Sequence, residues 1–471
     1  MDQTRLLLIS PTSPSRRAES SHRPRAPRVF RFSMLSSLSV AAAMPPEVET
    51  RILDEDVEPI DFDAQADLVG ISCMTYNAPR AYEIADRFRA LNKPVILGGY
   101  HPTLLPQEAI EHADSVCIGD AEPVATQIIQ DLARGGLKPY YLAQPCSLAG
   151  LPRPRRDLIR RRDYVPLDAV QATRGCDRSC AFCSVAAFHR SHFRARPVAE
   201  VIDEMASLGR NMLLLDDSLT CSRDYAAELF AAMIPLKKRW FSQSSVSLAF
   251  DRELLSLAMR SGCKGLFVGF ESLSERSLRA WNKGVNLQRD YLQAVRNLHA
   301  QGIAVYAGFV FGGDDERPDI FPRTLAFLLE ANVESLQATR LTPFPGTPLF
   351  KDFERRGRIL DHDWSHYDFG TVVYEPQHMS RRTLNEGVAW VQRQFFSRRA
   401  ILRRVTHDLH MLGPEATLRA VLPLNIGYRA KMAAEGNFYR AERHDAYLAG
   451  EFSRGAIEAA GNSRRSGPRS P

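Results

Sequence analysis

The chain has 471 residues, 44% of them hydrophobic and 25% charged, with a formal net charge of +6. This is globular composition, long enough for roughly two to four domains and for a full core without disulfide staples, which excludes a disordered chain and a small disulfide scaffold. Part of the positive excess lies in RRAESSHRPRAPRVFR and SRRSGPRSP at the two ends, read as solvated arms; no stacking motif accompanies it, so no nucleic-acid partner is expected.

Near the N-terminus RLLLIS reads as a buried strand. FSMLSSLSVAAAM follows arginines and ends in small residues, as a signal peptide does. It begins only at Phe32, behind a strand, so a helix packed on a sheet is the better reading. After ETRILDED the pattern alternates. DLVGISCMT is a strand, RAYEIADRFRALN an amphipathic helix, KPVILGGYHPT a strand ending in paired glycines, DSVCIGDAEP a strand and PVATQIIQDLARG a helix. Apolar strands alternating with helices predict a doubly wound, Rossmann-like parallel sheet over residues 1–145. AQPCSLAGLPRPRRDLI, with three prolines among basic residues, reads as a linker over 146–165.

A second series spans 166–355. Its strands are AVQATR, NMLLLDD, FSQSSVSLAF, KGLFVGF, AVYAGFVFG and VESLQATRLTP. Its helices are VAEVIDEMASLG, RDYAAELFAAMIPLKKRW, DRELLSLAMRSG, YLQAVRNLHAQG and DIFPRTLAFLLEAN. Six strand–helix units are too few to close an eight-unit barrel, so an open, partial (β/α)6 barrel is expected, with its chemistry at the C-terminal ends of the strands. Residues 356–455 read as mostly helical and basic, and 456–471, rich in Gly, Ser, Arg and Pro, as a disordered tail. No stretch reaches transmembrane length without charges. Cys73, Cys117, Cys146, Cys221 and Cys263 are scattered, mostly in apolar settings, and read as reduced core thiols of a cytoplasmic protein.

The other three cysteines, Cys176, Cys180 and Cys183, fall within RGCDRSCAFCSVAAFHR, just past the first barrel strand, in the spacing C-x3-C-x2-C. A closed zinc site needs four ligands, and His189 and His192 are near enough in sequence to supply one. Iron–sulfur clusters also favour thiolates. A cubane held by three cysteines leaves one iron open to a small molecule, so the missing fourth thiol becomes the functional feature.

This loop, with Phe182 before its third cysteine, resembles the radical S-adenosylmethionine superfamily. TRGCDRSCAFCSVAAF, LLLDDSLT, GCKGLFVGFESLSERSL, GFVFGGDDE and LTPFPGTPLF follow the order of the subgroup with an N-terminal cobalamin-binding domain, over roughly residues 60 to 400. The resemblance implies a [4Fe-4S] cluster on Cys176, Cys180 and Cys183, with Phe182 beside it. It implies that Asp216, Asp217 and Ser218 face the methionine moiety of S-adenosylmethionine, that Glu271 and Ser272 contact its polar groups, and that Gly308 and Gly312 adjoin its adenine. Each has a plainer reading. Asp217 or Ser218 would cap the helix RDYAAELF, Glu271 would be an N-terminal charge for SERSLRAW, and the glycines would serve packing. In the first domain the resemblance implies a cobalamin tail threading past Ser72, Thr75, Gly98, Gly99 and Gly119. The D-x-H-x-x-G cobalt-ligand motif is absent: around His22, Ser20 stands in the Asp place and Arg25 in the Gly place.

The activity implied is reductive cleavage of S-adenosylmethionine to methionine and a 5′-deoxyadenosyl radical, with cobalamin carrying a methyl group to an unactivated carbon. Radical cyclisation or rearrangement is the alternative within the enzyme class; a non-catalytic corrinoid-binding protein with a structural metal cluster is the rival outside it. Flavodoxin or ferredoxin would donate the electron. The substrate, a small molecule or a lipid-like one, is not readable from the chain.

Overall fold

The computed structural model describes residues 3–13, 31–32, 34–434 and 448–453; His22 and the segment 456–471 lie outside them. The chain divides into two compact units. The first comprises Met1–Asp217, Pro343–Asp352 and His362–Asp368, and the second Ser218–Thr342, Phe353–Asp361 and Phe369–Pro471.

The first unit begins with six strands: β1 (Thr4–Ser10), β2 (Val48–Asp54), β3 (Leu68–Ser72), β4 (Val95–Gly98), β5 (Ser115–Ile118) and β6 (Tyr140–Leu142). They form one parallel sheet in the order β2-β1-β3-β4-β5-β6. Alternate residues of a strand point to opposite faces, and here both faces are apolar. Leu7, Ile9, Val69, Ile71 and Leu97 pack on one side with the helix Ala78–Ala90. Leu6, Leu8, Leu68 and Ile96 pack on the other with the helices Leu35–Ala43 and Ala125–Ala133. The sheet is therefore doubly wound, as the alternation predicts, and FSMLSSLSVAAAM contributes one of its covering helices. The strand order reverses direction at β1, and ligands of such sheets bind beyond the C-terminal strand ends near that point.

β6 has no counterpart in the sequence reading, because three residues with alternating exposure give too little pattern. The stretch read as a linker is packed. Tyr164 is buried and donates to Asp54 at 3.0 Å. Arg156 donates to Glu204 at 2.5 Å and to the Ala169 carbonyl at 2.6 Å. Arg196 donates to the other Glu204 oxygen at 2.6 Å, so two guanidinium groups share one fully buried carboxylate.

The barrel strands start in the same unit. AVQATR, expected as one strand, is broken. β7 (Asp168–Val170) pairs parallel with β10 (Asn211–Leu214), whereas β8 (Thr173–Arg174) turns away to pair antiparallel with β9 (Arg194–Ala195).

The second unit holds β11 (Arg239–Ser244), β12 (Cys263–Glu271), β13 (Ala304–Phe311) and β14 (Ser335–Arg340), parallel and adjacent in that order. FSQSSVSLAF is strand only in its first half; Val246–Phe250 is a 3-10 turn. The helix begun by RDYAAELF stops at Met233, ahead of Pro235 and a left-handed Lys237, and the next residues lead into β11. With β7 and β10 the two units supply the six barrel-type strands expected. The C-terminal region is helical through Arg381–Phe395, Arg398–Met411 and Leu422–Ala434. Among the described residues no helix is long and apolar enough to cross a membrane.

Glu204→Gln should cost about 3 kcal/mol in urea unfolding, because it leaves Arg196 buried without its counter-charge. A loss below about 1 kcal/mol, the range of a surface ion pair, would show that this clamp does not hold the linker and barrel segments together.

Candidate functional site

β8 runs into the cysteine loop through Gly175, whose φ of +78° is left-handed; a Cβ there would collide with the His192 carbonyl and lie 3.0 Å from the His189 Cβ. Only glycine suits that position. Cys176, Cys180 and Cys183 follow as free thiols, Cys180 buried and the other two half-buried. The Cys183 amide donates to the Cys180 carbonyl at 3.1 Å and closes a turn ahead of the short helix Ser184–Phe188. Phe182 is half-buried in that turn. The Leu349 amide, from the LTPFPGTPLF segment, donates to the Ala181 carbonyl at 2.9 Å. Three uncrosslinked thiols on one irregular loop are the donor set a three-cysteine iron–sulfur cluster takes.

Asp216 and Asp217, past the end of β10, fix the approach to this loop. One Asp216 oxygen accepts from the Ala172 amide at 3.0 Å, the Thr173 amide at 2.5 Å and the Thr173 hydroxyl at 2.7 Å. Its pKa is pushed up to about 7 by burial, which outweighs those donors. Asp217 accepts from the Gly175 amide at 2.7 Å, and burial raises its pKa as well.

His189 lies 3.6 Å from Asp217 through Nε2, and its Nδ1 is 3.1 Å from the Arg194 guanidinium. A guanidinium only donates, so Nδ1 accepts and Nε2 carries the proton facing Asp217. Burial holds this imidazole below its ordinary pKa.

Arg194 also donates to Asp120 at 2.7 Å. Arg174, next to Gly175, pairs with Asp120 at 3.3 Å and with Glu122 at 2.6 Å. Burial alone would raise the Asp120 pKa; the two arginines overcome that and hold it below the usual carboxylate range. Asp120 and Glu122 follow β5, so the first sheet grips the cysteine loop on both flanks. Tyr100, after β4, stacks on Phe188 at 4.5 Å.

Between these contacts lies a cleft of about 90 Å³, lined among others by Thr103, Gly119, Ala143, Gln144, Phe188 and Arg194. Gly119 and Gly99 both have a φ of +95°. A Cβ on Gly99 would lie 2.7 Å from the Cys73 carbonyl and 2.9 Å from the Ser72 hydroxyl, and the Gly119 amide donates to Thr103 at 3.0 Å. Gly98 and Ser72 end adjacent strands, and Thr75 is buried in the turn after β3. At Gly99 and Gly119 the place of a Cβ is taken by the protein's own atoms, Cys73 and Ser72 at the first and the Ala143 carbonyl at the second, so local packing already requires glycine at both.

In the second unit β12 ends in a register shift against β13, and Glu271 sits there with a φ of +66°, uncommon for a residue with a side chain. Lys283 donates to one of its oxygens at 2.8 Å. Ser272 donates to Glu316 at 2.5 Å, and Glu316 also accepts from the amides of Gly312 at 2.8 Å and Gly313 at 3.3 Å. Burial pushes the Glu316 pKa up to about 7.

The plainer readings fare unevenly. The helix Arg223–Met233 is capped by Ser222, and Glu275–Ala280 by Ser274, so Asp217, Ser218 and Glu271 cap neither. Ser218 is buried at the start of the second unit. The glycines do serve packing: a Cβ on Gly308 would lie 2.6 Å from the Phe267 ring, and Gly312, with a φ of +111°, lies against Tyr374, whose hydroxyl donates to its carbonyl at 2.5 Å. Sequence reasoning passed over Asp120, Glu122, Arg174, Arg194 and Glu316. For all but Arg194 the available signal was their position, each within four residues of a motif glycine or cysteine.

Residues 170–328 match the family model of the Radical SAM superfamily, and residues 32–129 that of the B12 binding domain. The chain is 34% identical to bacteriochlorophyllide d C-12(1)-methyltransferase of Chlorobaculum tepidum, over 79% of this chain and 84% of that protein. It is 26% identical to anaerobic magnesium-protoporphyrin IX monomethyl ester cyclase of Cereibacter sphaeroides, over 72% and 61%. Among solved structures it superposes on the radical S-adenosylmethionine methyltransferase TsrM from Kitasatospora setae, with cobalamin and a [4Fe-4S] cluster bound, with a TM-score of 0.61 and 18% identity over 76% of this chain and 75% of that one.

The Asp216 geometry has a pH consequence. Its folded pKa lies above the unfolded value, so across the interval between them the folded state binds more protons, and stability falls as pH rises through about 7. Between pH 5 and pH 8 the wild type should therefore lose urea stability relative to Asp216→Asn. A difference between the two that is flat with pH would contradict the assignment.

Proposed function

The chain belongs to the radical S-adenosylmethionine superfamily, in the branch with an N-terminal cobalamin-binding domain, and from this we propose that it transfers a methyl group to an unactivated carbon of a large, mostly apolar substrate of the tetrapyrrole class. The cofactors are a [4Fe-4S] cluster, S-adenosylmethionine and cobalamin. When bound, the cluster and S-adenosylmethionine supply a radical for hydrogen abstraction, and cobalamin supplies the methyl group.

The observation that carries this reading is the joining of the three-thiol loop to the loop after β5, through Asp120, Arg174 and Arg194. In the proposed roles, Cys176, Cys180 and Cys183 hold the cluster. Gly175 and Asp217 fix where the loop starts. Glu271, re-aimed by the end of β12, keeps one carboxylate oxygen for a hydroxyl or ammonium donor while Lys283 holds the other. Ser272 and Glu316 keep the turn after β13 in shape rather than reaching outward. The strand-end backbone at Ser72, Gly98, Gly99 and Gly119 receives the cobalamin tail.

The tetrapyrrole class rests on the relatives named above, which act on such substrates, and the methyltransferase is the more similar of the two. Eight free cysteines suit the reducing cytosol, and the electron donor in this proposal is a flavodoxin or ferredoxin. The domain limits proposed are 1–145, 166–355 and 356–455.

Anaerobically reconstituted, reduced protein should form 5′-deoxyadenosine from S-adenosylmethionine. Replacing Cys176, Cys180 and Cys183 together by Ala should abolish it along with the brown absorbance, whereas Cys146→Ala should leave both. Glu271→Gly, which suits the positive φ, should keep the cluster and weaken S-adenosylmethionine binding by about 1.5–3 kcal/mol, the range for a bond to a charged group. Retention of the full iron content by the triple variant would overturn the cluster assignment.

A further inference from the structure

The helix Arg398–Met411 is anchored in the second unit by one face. Ile401 and Asp408 are buried. The buried Arg404 guanidinium donates to the Phe395 carbonyl at 2.9 Å and to Asn425 at 2.8 Å, and lies 3.8 Å over the Phe395 ring. Asn425 in turn donates to the Glu334 carbonyl at 2.8 Å.

The opposite face is of another kind. Arg398, Arg399, Leu402, Arg403, Thr406 and His410 are all exposed. At about 100° per residue they fall within an arc of about 140°. The face holds three arginines and no acid. Among the described residues none of these arginines has a side-chain partner. Other surface arginines of this unit do pair, Arg223 with Asp251 and Glu253, Arg239 with Glu415 and Arg382 with Glu386.

Leu402, in the middle of the arginines, is 65% exposed, more than any other large hydrophobic side chain among the described residues. Further along, the helical segments Thr417–Val421 and Leu422–Ala434 add Leu418 and Ile426, each more than half exposed. Residues 398–471 carry 13 Lys and Arg against 7 Asp and Glu, an excess equal to that of the whole chain.

Unpaired cations interleaved with exposed aliphatic side chains match a surface that is anionic outside and apolar just beneath. A nucleic acid would use the arginines but not the leucines, and no exposed aromatic ring accompanies them on these helices for base stacking. We infer that the helix face Arg398–Leu402–Arg403, with Leu418 and Ile426, docks this protein onto an anionic lipid bilayer, the arginines on the headgroups and the aliphatic side chains at the acyl boundary. The contact is peripheral, and it is independent of which carbon the enzyme methylates.

The test is sedimentation of the full reconstituted chain with phosphatidylcholine vesicles, with and without phosphatidylglycerol. The protein should pellet with the anionic vesicles only, and less as salt rises. Each arginine at such a surface is worth about fivefold in partitioning. Arg398→Gln, Arg399→Gln and Arg403→Gln together should therefore lower binding by tenfold or more. Leu402→Asn with Ile426→Asn, which leaves the charge unchanged, should also lower it severalfold. Both variants should keep the wild-type circular dichroism and 5′-deoxyadenosine formation. Those readouts separate failure of the docking from failure of the radical chemistry. Wild type that stays in the supernatant with anionic vesicles, or an Arg→Gln triple variant that binds as wild type does, overturns the inference. Loss with the arginine variant but not with the leucine–isoleucine variant also overturns it, since plain polyanion attraction then suffices.

Discussion

Where β7 ends, the sheet ladder ends with it, and the backbone amides of Ala172, Thr173 and Gly175 must find other acceptors. Two adjacent carboxylates meet that need, Asp216 taking the first two and Asp217 the third. A buried amide left without an acceptor costs about 1–3 kcal/mol. Once the acceptors are these two side chains, the chain has little freedom in where it leaves β7, and the cysteine loop starts from a fixed point. The constraint has its own cost. Both carboxylates are buried enough that their pKa values rise, which means that they are kept for position and not because they make the fold as stable as it can be.

The same device recurs. Glu316 accepts the amides of Gly312 and Gly313 after β13 and a hydroxyl from Ser272 after β12, again at the C-terminal ends of parallel strands and again with a raised pKa. Around the cysteine loop the carboxylates Asp120 and Glu122 meet Arg174 and Arg194 at short range, while Tyr100 and Phe188 stack. Buried ion pairs of this kind add little net stability against an apolar alternative, but they tolerate few arrangements. The cysteine loop and the first sheet are therefore set in register by charge, while the aromatic pair fills the space beside them.

Much of this was legible in the residues. Strands such as RLLLIS and helices such as RAYEIADRFRALN have the periods of their elements, and the three cysteines have a spacing with few other uses. What was not legible depended on contacts far apart in the chain. AVQATR has the composition of one strand; its break follows from Asp216, 44 residues from Ala172. The aspartates of LLLDDSLT looked equally suited to capping or to a ligand, and the structure uses both to hold backbone. Gly308 and Gly312 invite a ligand in sequence, but Phe267 and Tyr374 fill the space beside them. β6 is too short to show a period.

Hydrogen exchange tests the central constraint most directly. The amides of Ala172, Thr173 and Gly175 have no place in the β7–β10 ladder, so protection of these amides reports the two carboxylates. In peptides covering the β7–Cys176 segment, native-state exchange should be slow in the wild type. It should accelerate at Ala172 and Thr173 in Asp216→Ala and at Gly175 in Asp217→Ala, with the strands around them unchanged. Wild-type amides that exchange as fast as an exposed loop would contradict the account.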